Sequence, residues 1–114
     1  MSLNIGNASQ LIEKFGYWPD FCDARLEKLS LDLQSQSILI SLDHIDKDKK
    51  LMSKIDLEFN DVGAIELQDL LDENILDKLS INQIDAEKYE IRMQACYGIN
   101  GCFNCGSVEV KGVY

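Results

Sequence analysis

The chain has 114 residues, of which 46% are hydrophobic and 27% charged; a chain of this size buries roughly two-thirds of its unfolded surface, which argues against disorder and for one domain over residues 1–114. Apolar runs of only a few residues and no basic-then-apolar leader at the start speak against a membrane span and secretion and make a cytoplasmic location the default. The formal net charge of −9 disfavours phosphate backbones and anionic lipid as direct partners and favours a basic one, unless it serves solubility alone.

In chain order, Asn7 to Phe15 reads as a short amphipathic helix, with Ala8, Leu11, Ile12 and Phe15 on one face. Asn7 with Gln10 has the form of a capping box, and Gly16 stands where a left-handed residue closes a helix. The stripe runs into Phe15-Gly16-Tyr17-Trp18-Pro19-Asp20-Phe21-Cys22-Asp23-Ala24, which holds four of the chain's nine aromatic residues together with its only tryptophan and proline. Pro19 disfavours a helical Trp18, so the chain turns here from helix to strand. The aromatic area makes Phe15, Gly16, Trp18, Pro19, Phe21 and Asp23 a structural motif, a corner folded into the core. Asp23 is expected to bond backbone amides at that corner.

From Ala24 the hydrophobic period becomes two. Ala24 and Leu26 share one phase and Leu29, Leu31 and Leu33 the other, so one long strand carries a bulge near Glu27-Lys28. A polar turn, a strand over Ser37 to Ile45 and a turn at Asp46 to Lys50 follow. Leu51 to Phe59 alternates most cleanly, and Val62 to Leu67 is a further short strand. Gln68 to Glu73 reads as a loop, Ile75 to Ile84 as a strand that could also be helical, and Tyr89 to Ala95 as a strand. A turn at Gly98 to Gly101 precedes a last strand over Phe103 to Val110. The expected fold is α+β, mainly β: one N-terminal helix followed by an antiparallel meander of six or seven strands, forming a curved sheet or a sandwich.

No constellation argues for catalysis. Cys102 and Cys105 have the spacing of half a zinc site or of a redox dithiol, but lack a second ligand pair, and in a strand they point to opposite faces. With no secretory leader the four cysteines are expected to be reduced, and neither a metal nor a cofactor is expected. Asp43 to Asp48 lacks the glycine and the closing glutamate of a calcium loop. His44, the only histidine, reads as a surface residue at a hairpin end. The charge is more informative: residues 56–90 hold eleven acids against two lysines, and the remainder of the chain is neutral. Within that block the strand pattern lapses around Asp69, Asp72, Glu73 and Asp77, and connections on a rigid sheet are where binding residues concentrate. These four are the candidate partner-binding residues.

The corner from Phe15 to Ala24, followed by a leucine-rich strand, resembles the opening of the immunity protein 50 family of bacterial polymorphic-toxin systems. The segment Ile55-Asp56-Leu57-Glu58-Phe59-Asn60-Asp61-Val62 is similar to that family's middle strand and turn, and Tyr97-Gly98 through Gly101, Phe103 and Cys105 to its final hairpin. Such proteins usually read Phe-His-Asp after Trp-Pro; Cys22 stands here in place of the histidine, which weighs against a catalytic corner. The resemblance implies a mainly β fold and non-enzymatic binding of a toxin, and the acidic block fits a basic toxin such as a nuclease. The other class is a small enzyme or metal-dependent redox protein using Cys96, Cys102 and Cys105.

Overall fold

The computed structural model describes residues 5–46 and 50–114. Its elements are β1 (Ile5–Gly6), α1 (Ala8–Phe15), β2 (Arg25–Asp32), β3 (Ser37–Asp46), β4 (Leu51–Asn60), β5 (Gly63–Gln68), β6 (Ile75–Asp85), β7 (Lys88–Tyr97), β8 (Asn100–Cys105) and β9 (Ser107–Val113). The turn expected at Asp46 to Lys50 falls largely outside the described residues.

The nine strands form one open, mixed sheet in the order β1-β9-β4-β3-β2-β6-β7-β8-β5. The strand count therefore exceeds the expected six or seven, because a two-residue strand precedes α1 and Gly106 divides the expected last strand into β8 and β9. Nor is the order a simple meander. β5 leaves β4 to pair with β8, β9 returns to β4, and β1 runs parallel to β9. Alternation tells which face of a strand is buried, not which strand lies beside it.

The 75–84 segment is a strand, paired with β7 over most of its length, and the bulge in β2 falls between Leu26 and Lys28 as the two leucine phases require. Phe59 of β4 and Phe103 of β8 meet edge to face at 5.1 Å, although four strands separate theirs in the sheet order. The sheet thus curls over its own core. Ile38, Ile40, Leu42, Ile55, Leu57 and Phe59 from one half and Leu76, Leu79, Ile91, Met93 and Phe103 from the other are buried in one cluster.

At the amino end, Gly16 closes α1 in the left-handed region at φ 87°, its N–H bonding the Ile12 carbonyl at 2.7 Å. Asn7 does not form the expected side-chain cap. It is itself left-handed, and its amide donates to the Val110 carbonyl at 3.2 Å and to Glu109 at 3.3 Å. The pairing of β1 with β9 holds it there.

The aromatic corner is anchored to β6. Asp23 N–H bonds the Leu76 carbonyl, Leu76 N–H the Ala24 carbonyl and Leu79 N–H the Asp20 carbonyl, each at 2.8–2.9 Å. Phe15, Pro19 and Phe21 are buried, Trp18 is half-buried, and Tyr17 is exposed. Only part of the expected aromatic core is thus core. Trp18 lies edge-on to Phe21 at 6.0 Å, over its rim. A carboxylate-to-amide bond at the corner is made by Asp20, which accepts Cys22 N–H at 3.1 Å; Asp23 is exposed at the surface.

His44 is a correction. It shares the inward phase of β3 with Ile38, Ile40 and Leu42, and it is 4% exposed beneath Phe15 and Phe21, with ring centroids 5.3 and 5.5 Å away. The phase that buries its neighbours buries the imidazole, and the corner covers it.

Candidate partner-binding site

β2 and β6 meet at a single register pair, Arg25 with Ile75. Beyond it Leu26 N–H bonds the Asn74 carbonyl at 2.9 Å, and β2 then continues past the start of β6. The 69–74 loop lies alongside it. Two hollows that share Leu26, Glu27 and Asp72 lie between them, one of about 220 Å³ over Arg25, Glu27, Asp72 and Glu73, the other of about 170 Å³ between Leu26 and Leu29 on one wall and Leu70 and Leu71 on the other.

The loop is shaped by Asn74, a buried polar residue. Its side-chain oxygen accepts Leu71 N–H at 3.1 Å and Ile99 N–H at 2.9 Å, and its amide nitrogen donates to the Leu71 carbonyl at 2.9 Å. One side chain thereby satisfies three backbone groups and joins the loop to the β7–β8 turn. Gly98 in that turn has φ +97°, and a Cβ there would stand 2.2 Å from the Asn74 oxygen. Only glycine permits both the backbone conformation and the approach.

On this frame Asp69, Asp72 and Glu73 are all exposed, with Leu70 and Leu71 beside them. Glu73 is not a free charge: Arg25 donates to it at 2.6 Å, with both side chains about half exposed, and this bond, ahead of the simple charge attraction, raises the Arg25 pKa. Asp77 is separate from the loop. It sits at a bulge in β6, exposed, with the Cys96 thiol 3.9 Å from its carboxylate. Of the four residues chosen from sequence, the structure groups three in one loop and places the fourth against the cysteines.

A third hollow, about 280 Å³, lies at the corner and is lined by Tyr17, Asp20, Cys22, Asp23, His44 and Asp46 among others. Tyr17 donates to Asp46 at 2.5 Å. Both His44 ring nitrogens are buried without a hydrogen-bond partner among the described residues. Burial holds the His44 pKa below its usual value, and Asp46 and Asp20 partly offset that. The Cys22 and Cys96 thiols are raised, by desolvation first and by surrounding acids next, Asp23 for Cys22 and Asp77 for Cys96. An acidic environment of this kind suppresses thiolate and hence nucleophilic reactivity. Cys105 is buried and Cys102 half-buried on β8, and burial pushes the Cys105 thiol up to about 11.

The family model described as Immunity protein 50 matches residues 7–114. The chain belongs to the immunity protein 50 family. The match takes in α1, the aromatic corner, every strand from β2 to β9 and the 69–74 loop. No curated protein and no solved structure matches the chain.

Asn74, Arg25, Leu70 and Leu71 are absent from the residues chosen from sequence. For the leucines a signal was present, since an adjacent apolar pair inside an acidic loop, Asp69-Leu70-Leu71-Asp72, is out of place unless it covers something or binds something. For Arg25 there was none, because Glu73 lies 48 residues away, and for Asn74 the bonds to Leu71, three residues back, are local but the one to Ile99, which joins the loop to the β7–β8 turn, spans 25 residues.

Proposed function

We propose that this member of the immunity protein 50 family neutralises a toxin by binding its toxic domain, without chemistry of its own, and that the 69–74 loop is the centre of the contact. The observation that carries the reading is the coincidence of charge and exposure: residues 56–90 hold the chain's whole excess of acid, and Asp69 and Asp72 stand exposed on a loop held rigid by Asn74. An acidic surface of this kind accelerates encounter with a basic partner and orients it. A nuclease domain, whose own substrate is polyanionic, is the toxin class that suits it best.

The role of Glu73 is then to offset the positive charge of Arg25 at the edge of the surface, and Asp77 lends charge at longer range. The test is expression, in a sensitive host with and without this protein, of candidate toxin domains taken from the open reading frames that flank its gene. Growth restored by the wild type, and lost or weakened with Asp69→Asn/Asp72→Asn at equal expression, is the expected outcome. Full protection by the double variant would move the contact elsewhere. Failure of the wild type to protect or to bind would defeat the immunity reading for that toxin.

A further inference from the structure

The distal half of β2 is an open sheet edge. Lys28 to Asp32 pair with Ser41 to Ser37 of β3 on one side, and on the other side no backbone bond joins them to any described residue, the last being Leu26 to Asn74. Leu29 and Leu31 stand opposite Ile40 and Ile38 and so project from the same face as the core. That face is not closed over them. Leu29 is half-buried, while Leu31 is 45% and Leu33 75% exposed, and Leu70 and Leu71 across the hollow are 58% and 46% exposed. Unpaired backbone groups, a furrow with leucines on both walls and an acidic rim therefore coincide along one strand.

We propose that an extended, basic segment of the toxin domain adds to β2 as a further strand, pairing its backbone with Lys28 to Asp32. An apolar side chain of that segment enters between Leu29 and the Leu70-Leu71 pair, and neighbouring lysines or arginines meet Asp69 and Asp72. The proposal rests on the immunity reading and adds the mode of binding. In strand addition, main-chain bonds supply the affinity and alternate side chains the specificity.

Charge selects the occupant. Glu27, Asp72 and Glu73 line the furrow, with Asp69 and Asp32 exposed on the adjoining loop and strand, and of the two basic residues there Arg25 is engaged by Glu73 and leaves Lys28. A second copy of this chain would bring a net charge of −9 against the same acids, which disfavours edge-to-edge pairing with itself; charged residues on an edge protect it in this way. A basic strand meets no such repulsion.

The test is amide hydrogen exchange of the full chain, free and bound to the toxin domain against which it protects in the co-expression test, that domain being inactivated by substitution. Expected is that outward-facing amides within residues 28–32 exchange fast in the free protein and at least about tenfold more slowly in the complex, as amides do when a new ladder forms. Leu70→Asp/Leu71→Asp, and separately Leu31→Lys, should each weaken the complex about tenfold or more while leaving the circular dichroism spectrum unchanged. The second variant keeps the test valid if the first disturbs the loop. A complex that forms with these amides unprotected, or that tolerates both variants, overturns strand addition and leaves the immunity reading standing. Absence of any complex overturns both. A dimer of the free protein with these amides already protected would assign the edge to a second copy instead.

Discussion

Replacing Asn74 with alanine orphans three backbone groups at once. Leu71 N–H and the Leu71 carbonyl lose their bonds at the rim of the loop, and Ile99 N–H loses its bond at 2.9 Å in a buried setting. An unsatisfied buried donor costs about 1–3 kcal/mol, and the two partly buried groups recover much of theirs from water. The expected loss is therefore about 2–4 kcal/mol, read as a shift in the urea midpoint at constant slope by circular dichroism. Asn74→Asp keeps the acceptor but lacks the donor and brings a charge into a buried site, so it should fall at the same end of the range or beyond. Gly98→Ala attacks the same joint from the other side, since its Cβ would stand 2.2 Å from the Asn74 oxygen at φ +97°, and it should also destabilise. The loop should loosen with the joint, so hydrogen exchange at Leu71 and Ile99 should accelerate in all three variants. An Asn74→Ala protein within about 0.5 kcal/mol of wild type, with Leu71 and Ile99 amides exchanging as before, would refute the assignment of Asn74 as the residue that shapes the site.

Phe21→Ala should cost about 3–5 kcal/mol, the range for a fully buried aromatic, and Trp18→Ala less because Trp18 is only half-buried; urea unfolding of the two variants tests the order. Phe21→Gly should be more stable than Phe21→Ala by about 1 kcal/mol, since Phe21 has φ 64°, where a Cβ is unfavourable; an alanine variant more stable than the glycine one would contradict this. His44 is held neutral by burial, its folded pKa below the usual 6.5. Stability from this group is therefore fully present above the unfolded pKa and is lost as pH falls from about 6.5 through the lower folded pKa; His44→Leu should flatten the fall in stability between pH 7 and pH 5, and an unchanged slope would show that the imidazole is not buried. At pH 8 a thiol reagent should label Cys22 and Cys96 in the folded protein and reach Cys105, raised to about 11 by burial, only after unfolding; prompt labelling of Cys105 would show that its strand opens.

The elements of this fold were largely legible because hydrophobic phase is local. Two leucine phases on either side of Glu27 required the β2 bulge, and Gly16 ended α1 where its conformational freedom is used. The same rule applied strictly would have buried His44, whose position two residues after Leu42 puts it on the inward face. What phase does not carry is strand order. The parallel β1–β9 pair, the return of β9 to β4 and the single contact of β2 with β6 are set by packing between segments remote in sequence. The candidate site divides in the same way. An acidic excess at Asp69, Asp72 and Glu73 was visible in composition and in the lapse of the strand pattern. The Arg25 pairing and the open edge of β2 arise only when the loop is laid beside the strand, the Asn74 joint only when the loop meets the β7–β8 turn, and Asp77 was grouped with the loop solely because it is near in sequence.

The most direct test of the central claim is the association rate of the toxin domain by stopped flow across a salt series, wild type against Asp69→Asn/Asp72→Asn. Glu73 is left intact so that Arg25 stays neutralised. Steering between opposite charges is screened beyond a Debye length of about 8 Å at physiological ionic strength, so the wild-type rate should fall steeply with salt. The double variant should associate more slowly at low salt with a shallower dependence, and the two should converge at high salt. Identical rates with identical salt dependence would contradict the account and leave the acidic loop outside the contact.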